Sequence, residues 1–195
     1  TEGLPKEQLG RIGLACAPSK PDTVYAVVEA ANKAGGTFRS VDGGLTWEKR
    51  SDYVSASPQY YQELIVDPLN ADRVYSMDTW MHVTQDGGKT FQRVGEKHKH
   101  VDNHALWIDP ANTDRLIAGC DGGLYESRDR GATWEFKPNL PVAQFYRVAT
   151  DNAKNSTTKS ITVTIGGDKT APVIKANTGA VAGMVENGVT SQVVA

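Results

Sequence analysis

The sequence predicts an all-β chain assembled from repeated four-stranded antiparallel units. Three observations predict it: a turn motif that occurs three times at near-constant spacing, a second landmark that keeps step with it, and a composition suited to short strands and tight turns. The chain has 195 residues, of which 39% are hydrophobic, with 19 glycines and 9 prolines. Glycine and proline at that level favour many turns over long helices, and the length suits one large domain or a domain plus part of another.

The turn motif reads Ser/Thr-x-Asp-x-Gly-x-Thr-aromatic. It occupies Ser40 to Trp47, Thr84 to Phe91 and Ser127 to Trp134, and its aspartates Asp42, Asp86 and Asp129 lie 44 and then 43 residues apart. The second landmark is a proline four residues ahead of an aspartate that opens an apolar run: Pro18 with Asp22, Pro68 with Asp72, Pro110 with Asp114. The longer first interval is absorbed by a loop from Ser51 to Gln59. Insertions in repeat arrays collect in loops on one face.

Each unit then reads as four strands. In the second they are Tyr61 to Val66, Arg73 to Met77, Met81 to Thr84 and Thr90 to Val94, with a Pro/Asn/Asp turn after the first and Asp-Gly-Gly before the last. Such a unit is one blade of a β-propeller. In register, Leu14, Leu64, Leu106 and Val148 form one column of the first strand and Cys16, Val66, Ile108 and Thr150 another on the same face. These columns predict the packing seam between blades, and their last members predict a fourth blade starting at Gln144 to Asp151. At roughly 43 residues per blade the chain holds about four, near the lower limit for a closed ring. It is therefore a propeller fragment, an unusually small ring, or a subunit that completes a ring with a partner. Residues 1–150 are assigned to the blades. Residues 151–195 form a C-terminal β extension that either completes the last blade or is poorly ordered.

The turn motif has a folding rationale. Glycine accommodates positive φ, and the carboxylate accepts hydrogen bonds from the turn amides. Asp42, Gly44, Thr46 and Trp47, then Asp86, Gly88, Thr90 and Phe91, then Asp129, Gly131, Thr133 and Trp134 are read as structural, with the aromatic packing between sheets. Repetition in every blade argues against a unique ligand site.

By these residues the chain resembles the Asp-box (BNR repeat) propellers, and more closely the sortilin-type and xyloglucanase-like "glycosyl hydrolase" family. The specific strings are His100 to Pro110, Gly119 to Leu124 and Asn139 to Tyr146. The resemblance covers roughly residues 8–150. It implies many more blades than this chain can form and, for xyloglucanase-type members, a cleft between two complete propellers. From Thr150 onward, Ser160 to Ile165 and Asp168 to Ile174 resemble bacterial Ig-like module sequence instead.

Composition removes several functional classes. With 21 basic against 23 acidic residues there is no basic stripe for nucleic acid. No apolar stretch approaches the length of a membrane span, and an exported chain would already have lost its signal segment. Cys16 and Cys120 sit in apolar runs and are read as small buried hydrophobes, so no compartment follows from them. No cofactor is expected.

The densest set of metal-ligating types is His98, His100, Asp102 and His104, which on a strand would all point one way. Against a metal, His98 and His100 lie in a Lys-flanked stretch that reads as a solvated loop. Glycoside hydrolysis needs two carboxylates, and Glu63, Asp78, Asp102 and Asp121 are the acidic side chains near inner strands, with Glu63 and Asp102 the best pair. Tyr60 or Tyr61 beside Glu63 resembles a sialidase Tyr nucleophile, but the accompanying arginine cluster is missing. Trp80, Tyr60, Tyr61 and His104 are the binding candidates, while Trp107 follows the seam and is read as core. The leading expectation is a binding or scaffold propeller, secreted or at the cell surface, contacting protein or glycan through its loops. The alternative is a glycoside hydrolase, or a fragment of one. Open blade edges predict closure by the tail or self-association.

Overall fold

A computed structural model describes residues 2–138 and the backbone of two short strands near the C-terminus. The chain divides into two compact units, Thr1–Thr162 and Val163–Ala195. In the first unit the described residues form three four-stranded antiparallel sheets, each a simple meander. Blade 1 contains β1 (Leu9–Ala17), β2 (Lys20–Ala30), β3 (Gly36–Ser40) and β4 (Glu48–Ser51). Blade 2 contains β5 (Leu64–Val66), β6 (Val74–Ser76), β7 (His82–Thr84) and β8 (Gln92–Arg93). Blade 3 contains β9 (Asn103–Ile108), β10 (Leu116–Cys120), β11 (Gly123–Ser127) and β12 (Glu135–Phe136). In the second unit β13 (Val185–Glu186) pairs with β14 (Val189–Thr190). The expected fourth blade at 144–151 and the rest of the extension at 151–195 lie outside the described residues.

The strands of blade 2 are shorter than the sequence predicts. Tyr61 to Glu63, expected inside the first strand, precede β5, because the Tyr60 and Tyr61 amides both donate to the Ser57 carbonyl and close a turn there. Only Leu64–Val66 then pair in regular register with Val74–Ser76.

The two sequence landmarks keep step because they are bonded to each other. The Gly43 amide donates to the Asp22 carbonyl at 2.9 Å, Gly87 to Asp72 at 3.0 Å and Arg130 to Asp114 at 2.9 Å. Each Asp-box turn, between the third and fourth strands, is thus held to an aspartate at the beginning of the second strand in blade 1 and just before it in blades 2 and 3. Within the box one pattern repeats. The Thr46 amide and hydroxyl donate to the two oxygens of Asp42 at 2.9 and 2.6 Å. Thr90 does the same to Asp86 at 2.9 and 2.7 Å, and Thr133 to Asp129 at 2.8 and 2.6 Å. The leading hydroxyl donates to the same carboxylate and accepts from the glycine amide two residues beyond it, as Thr84 does with Asp86 and Gly88. Two consecutive positive φ angles result, 68° and 89° at Gly87 and Gly88, 60° and 89° at Arg130 and Gly131. Arg130 shows that the first of these positions tolerates a side chain. Gly131 has a second constraint, since a Cβ there would stand 2.6 Å from the Val94 side chain of blade 2.

The core lies between sheets. Ala17, Tyr25 and Val27 of blade 1 pack on Leu64, Val66 and Val74 of blade 2. Tyr75, Met77 and Met81 of blade 2 pack on Leu106, Ile108, Leu116 and Ala118 of blade 3. Box aromatics seal the same joints: Phe91 stacks on Tyr53 at 3.9 Å, and the Trp134 indole donates to the Gly95 carbonyl at 2.8 Å. Polar ties add to the first joint, with the Tyr25 hydroxyl donating to the Ala71 carbonyl and Arg39 paired with Asp72 at 2.9 Å.

The predicted columns face the preceding blade, so their burial depends on whether one is there. Leu64 and Leu106 are buried, whereas Leu14 is 63% exposed. Cys16 is also exposed, contrary to its reading as a buried hydrophobe, while Cys120 is buried and its thiol pKa is raised by that burial. On β1 the alternate residues Ala15 and Ala17 turn toward blade 2, which leaves Ile12, Leu14 and Cys16 on the outer side. Farther along that face Leu4 and Trp47 cover Ala26, Val28 and Phe38, and the Trp47 amide donates to the Glu2 carbonyl.

The box geometry generates two predictions. Asp86→Ala leaves the Thr90 and Lys89 amides without their acceptor and lowers stability by about 1 to 2 kcal/mol, read by chemical denaturation. The Asp42 carboxyl is lowered to about 2 by the Thr46 hydroxyl and amide and by Ser40. At Asp86 burial pushes upward but is outweighed by Thr90, Thr84 and Lys89, and its carboxyl also falls to about 2. Because the folded values lie below the ordinary aspartate value of 3.8, this stabilisation is complete above the unfolded pKa. It is lost as pH falls through the folded value, so the acid unfolding limb lies between about pH 4 and pH 2 and is weakened in Asp86→Ala. Second, Gly131→Ala meets both positive φ and Val94, whereas a Cβ at Gly43 meets nothing within 4 Å. Gly43→Ala therefore costs about 1 kcal/mol from backbone strain, and Gly131→Ala costs at least about 1 kcal/mol more from overpacking. Equal melting temperatures for the two variants would contradict this.

Candidate functional site

The antiparallel order gives the blades two chemically different ends. The Asp boxes and the turns they bind occupy one. The other carries the starts of the first strands, the β2–β3, β6–β7 and β10–β11 connections, and the segments that lead from one sheet to the next. Tyr60, Tyr61, Glu63, Asp78, Trp80, Asp102, His104 and Asp121 all belong to this loop end. Its largest segment runs over 52–63, where the sequence placed the insertion.

At the joint between blades 2 and 3 the structure brings five of the predicted residues together. The Tyr61 hydroxyl donates to Asp102 Oδ1 at 2.9 Å, which ties the segment before β5 to the residue before β9. The Tyr61 and His104 rings stack at 5.9 Å and 21°, and Tyr60 meets both edge-on, at 5.0 Å from Tyr61 and 5.8 Å from His104. His104 Nε2 lies 2.9 Å from Asp121 Oδ1. Tyr61 is buried, and that burial, with the Asp102 hydrogen bond, pushes its hydroxyl pKa up to about 12. Tyr60 is 55% exposed. The outcome is a solvent-facing ring braced by a buried tyrosine and a half-buried histidine, which in turn contact the Asp102 and Asp121 carboxylates.

Behind the cluster lies a buried polar network that the sequence reading missed. The Lys99 ammonium is fully buried and donates to Glu96 Oε1 at 3.2 Å, to the His100 carbonyl at 2.9 Å and to the Asn103 side-chain oxygen. The Asn103 amide group donates to Glu96 Oε1 at 2.9 Å and to the Asp78 and Thr79 carbonyls at 3.2 Å. The Trp134 ring stands 5.3 Å from the ammonium. This network grips the chain on both sides of Asp102, whose φ is +61° and whose amide donates to the Thr79 carbonyl at 2.9 Å. Burying a lysine requires a partner charge and satisfied donors, and both are present. A Lys-flanked run carries no periodic signal that separates the one inward lysine from its solvated neighbours, so sequence alone assigned the whole stretch to solvent.

The histidine cluster does not form. Regular strand geometry starts only at Asn103, so alternation does not apply to 98–102, and His98 and His100 are exposed while His104 is half-buried. Among the described residues no group of three or more His, Cys, Asp or Glu is placed to hold a metal ion. Of the carboxylates, Asp78 is buried and accepts from the Ala56 and Thr79 amides, both at 2.7 Å. Glu63 is exposed at the start of blade 2. Trp80 is 41% exposed but stacks on the Arg93 guanidinium, 3.2 Å from the ring centre. Trp107, read as core, is only half-buried beside Arg115. Among the described residues no helix is long and apolar enough to cross a membrane.

Comparison with known proteins follows the same lines. An oligoxyloglucan-reducing end-specific xyloglucanase from Emericella nidulans is 26% identical over 157 residues, spanning 72% of this chain but 19% of the relative. The chain thus corresponds to about a fifth of that relative's length. The crystal structure of a GH74 enzyme from Niastella koreensis superposes with a TM-score of 0.55 at 17% identity, covering 70% of this chain and 24% of that one. An ancestral GH74 enzyme gives 0.57 at 16% identity, covering 77% and 21%. At these identities the structures establish the fold, β-propeller blades, and nothing finer. The family profile described as sortilin, neurotensin receptor 3, matches residues 33–173, well over half of the sequence, and the chain therefore belongs to the Sortilin-Vps10 family.

Proposed function

We propose that these blades bind an oligosaccharide across their loop end, with Tyr60 as the stacking platform, and that the chain by itself does not cleave it. The observation that carries this reading is the exposed Tyr60 ring braced edge-on by Tyr61 and His104, whose own polar partners are Asp102 and Asp121. An aromatic face takes the C–H side of a pyranose, and carboxylates at its margin accept sugar hydroxyls. The named activity of the Emericella nidulans relative makes a xyloglucan-type β-glucan the favoured class. Hydrolysis requires two carboxylates set about 5 to 5.5 Å or 6.5 to 9.5 Å apart around the scissile bond, one of them kept protonated. Here Asp102 accepts the Tyr61 hydroxyl and Asp78 accepts two backbone amides, so both carboxylates are already engaged in holding the fold.

The runner-up is a glycoside hydrolase with Glu63 and Asp102 as its carboxylates, which the similarity to a xyloglucanase favours. A protein ligand is the competing occupant of the same face. Both readings place the protein outside the cell or on its surface. Both also have Ile12, Leu14 and Cys16 covered by a further blade or a second copy, as Leu64 and Leu106 are covered within the described blades.

Three outcomes test the proposal. Titration calorimetry with xyloglucan oligosaccharides shows binding that falls about tenfold in Tyr60→Ala, the loss of about 1.4 kcal/mol expected for one stacking ring; failure to bind any glycan, with capture of a protein ligand instead, would refute it. Incubation with chromogenic sialosides, xyloglucan and β-glucans gives no turnover, and turnover abolished by Glu63→Gln or Asp102→Asn would establish the runner-up. Light scattering shows self-association that Leu14→Glu weakens; a monomer at every concentration would count against a second copy on that face.

A further inference from the structure

The surface beside Tyr60 carries a second feature, whose interpretation rests on the oligosaccharide reading. A cleft of about 450 Å³ opens on the loop end of blade 1, lined by Glu29, Lys33, Asp52, Val54 and Pro58. Its walls are the 3-10 turn Ala31–Lys33 and the loop over 52–63. That volume lies within the range of small-molecule sites.

Arg11 links this cleft to the Tyr60 platform. Its amide donates to Glu29 Oε2 at 3.1 Å, on the cleft wall, while its guanidinium Nη1 donates to the Gln59 carbonyl at 3.0 Å and to the Tyr60 carbonyl at 3.4 Å. The turn that displays Tyr60 also contains Pro58, so cleft wall and stacking ring belong to one closed loop. A side chain at Gly10 would strike the Glu29 carboxylate, its Cβ coming within 2.3 Å. The lining chemistry is mixed. Val54 and Pro58 offer apolar surface for pyranose C–H faces, while Glu29, Lys33 and Asp52 offer acceptors and one donor for hydroxyls. Asp52 is held by Lys49 at 2.7 Å.

We infer that the cleft is a second subsite continuous with Tyr60, so that the ligand is an oligosaccharide of several units lying over Arg11 from one subsite to the other. Length provides the test, because only a chain that reaches both subsites gains from both. Calorimetry on the whole chain uses a ladder of β-glucan oligosaccharides, from disaccharide to hexasaccharide. Affinity is expected to rise with length. Lys33→Ala and Asp52→Ala, both exposed positions, are expected to reduce the hexasaccharide-to-disaccharide affinity ratio about threefold to tenfold, the effect of losing one polar contact. Tyr60→Ala weakens every member of the ladder, and wild-type melting temperatures for the variants establish that they fold. An affinity independent of length, or an unchanged ratio in both cleft variants, overturns the second subsite while leaving the Tyr60 reading in place. Absence of binding by every member sinks both readings.

Discussion

Each blade depends on a hairpin turn that holds two consecutive residues at positive φ and leaves its amides to be satisfied by side chains. The Asp-box carboxylate does this by accepting from the threonine four residues ahead, and the leading Ser or Thr hydroxyl closes the other side. The same turn donates to the carbonyl of the aspartate at or just before the start of the second strand. Inner and outer halves of the sheet are thereby fastened at one end. With that end fixed, the opposite end has less structural duty and can carry long, irregular connections.

The second constraint acts between blades. A four-stranded sheet has two apolar faces and cannot bury either alone. Tyr25, Val27, Tyr75, Met77 and Met81 gain their burial from a neighbouring sheet, and the box aromatics close the joints from the outside. Leu14 shows the dependence by contrast. It occupies the same column as Leu64 and Leu106, has the same chemistry, and remains exposed because no described blade lies on its side.

The candidate site is a product of this arrangement. Tyr60 and Tyr61 come from the segment entering blade 2, Asp102 and His104 from the start of blade 3, and Lys99, Glu96 and Asn103 hold the latter pair from beneath. A joint between rigid sheets is a suitable place for a ligand, since side chains from two blades converge there without either blade deforming. Arg11 extends the same logic to the joint between blades 1 and 2.

Period, motif and register were all present in the sequence, because an Asp-box turn needs particular residues at particular positions and a blade needs a set number of strands. They determined the fold class and the repeating four-stranded unit, and they offered structural roles for Asp42, Asp86 and Asp129 and named Tyr60, Tyr61, Asp102 and His104 among the candidates. They did not determine which of those candidates meet. His98 and His100 had equal claim with His104 on spacing, Lys99 was indistinguishable from the lysine at 97, and Cys16 from Cys120. Those distinctions rest on where a turn ends, where regular alternation begins and whether a neighbouring sheet is present. All three are set by contacts between residues far apart in the chain, which only the tertiary structure decides.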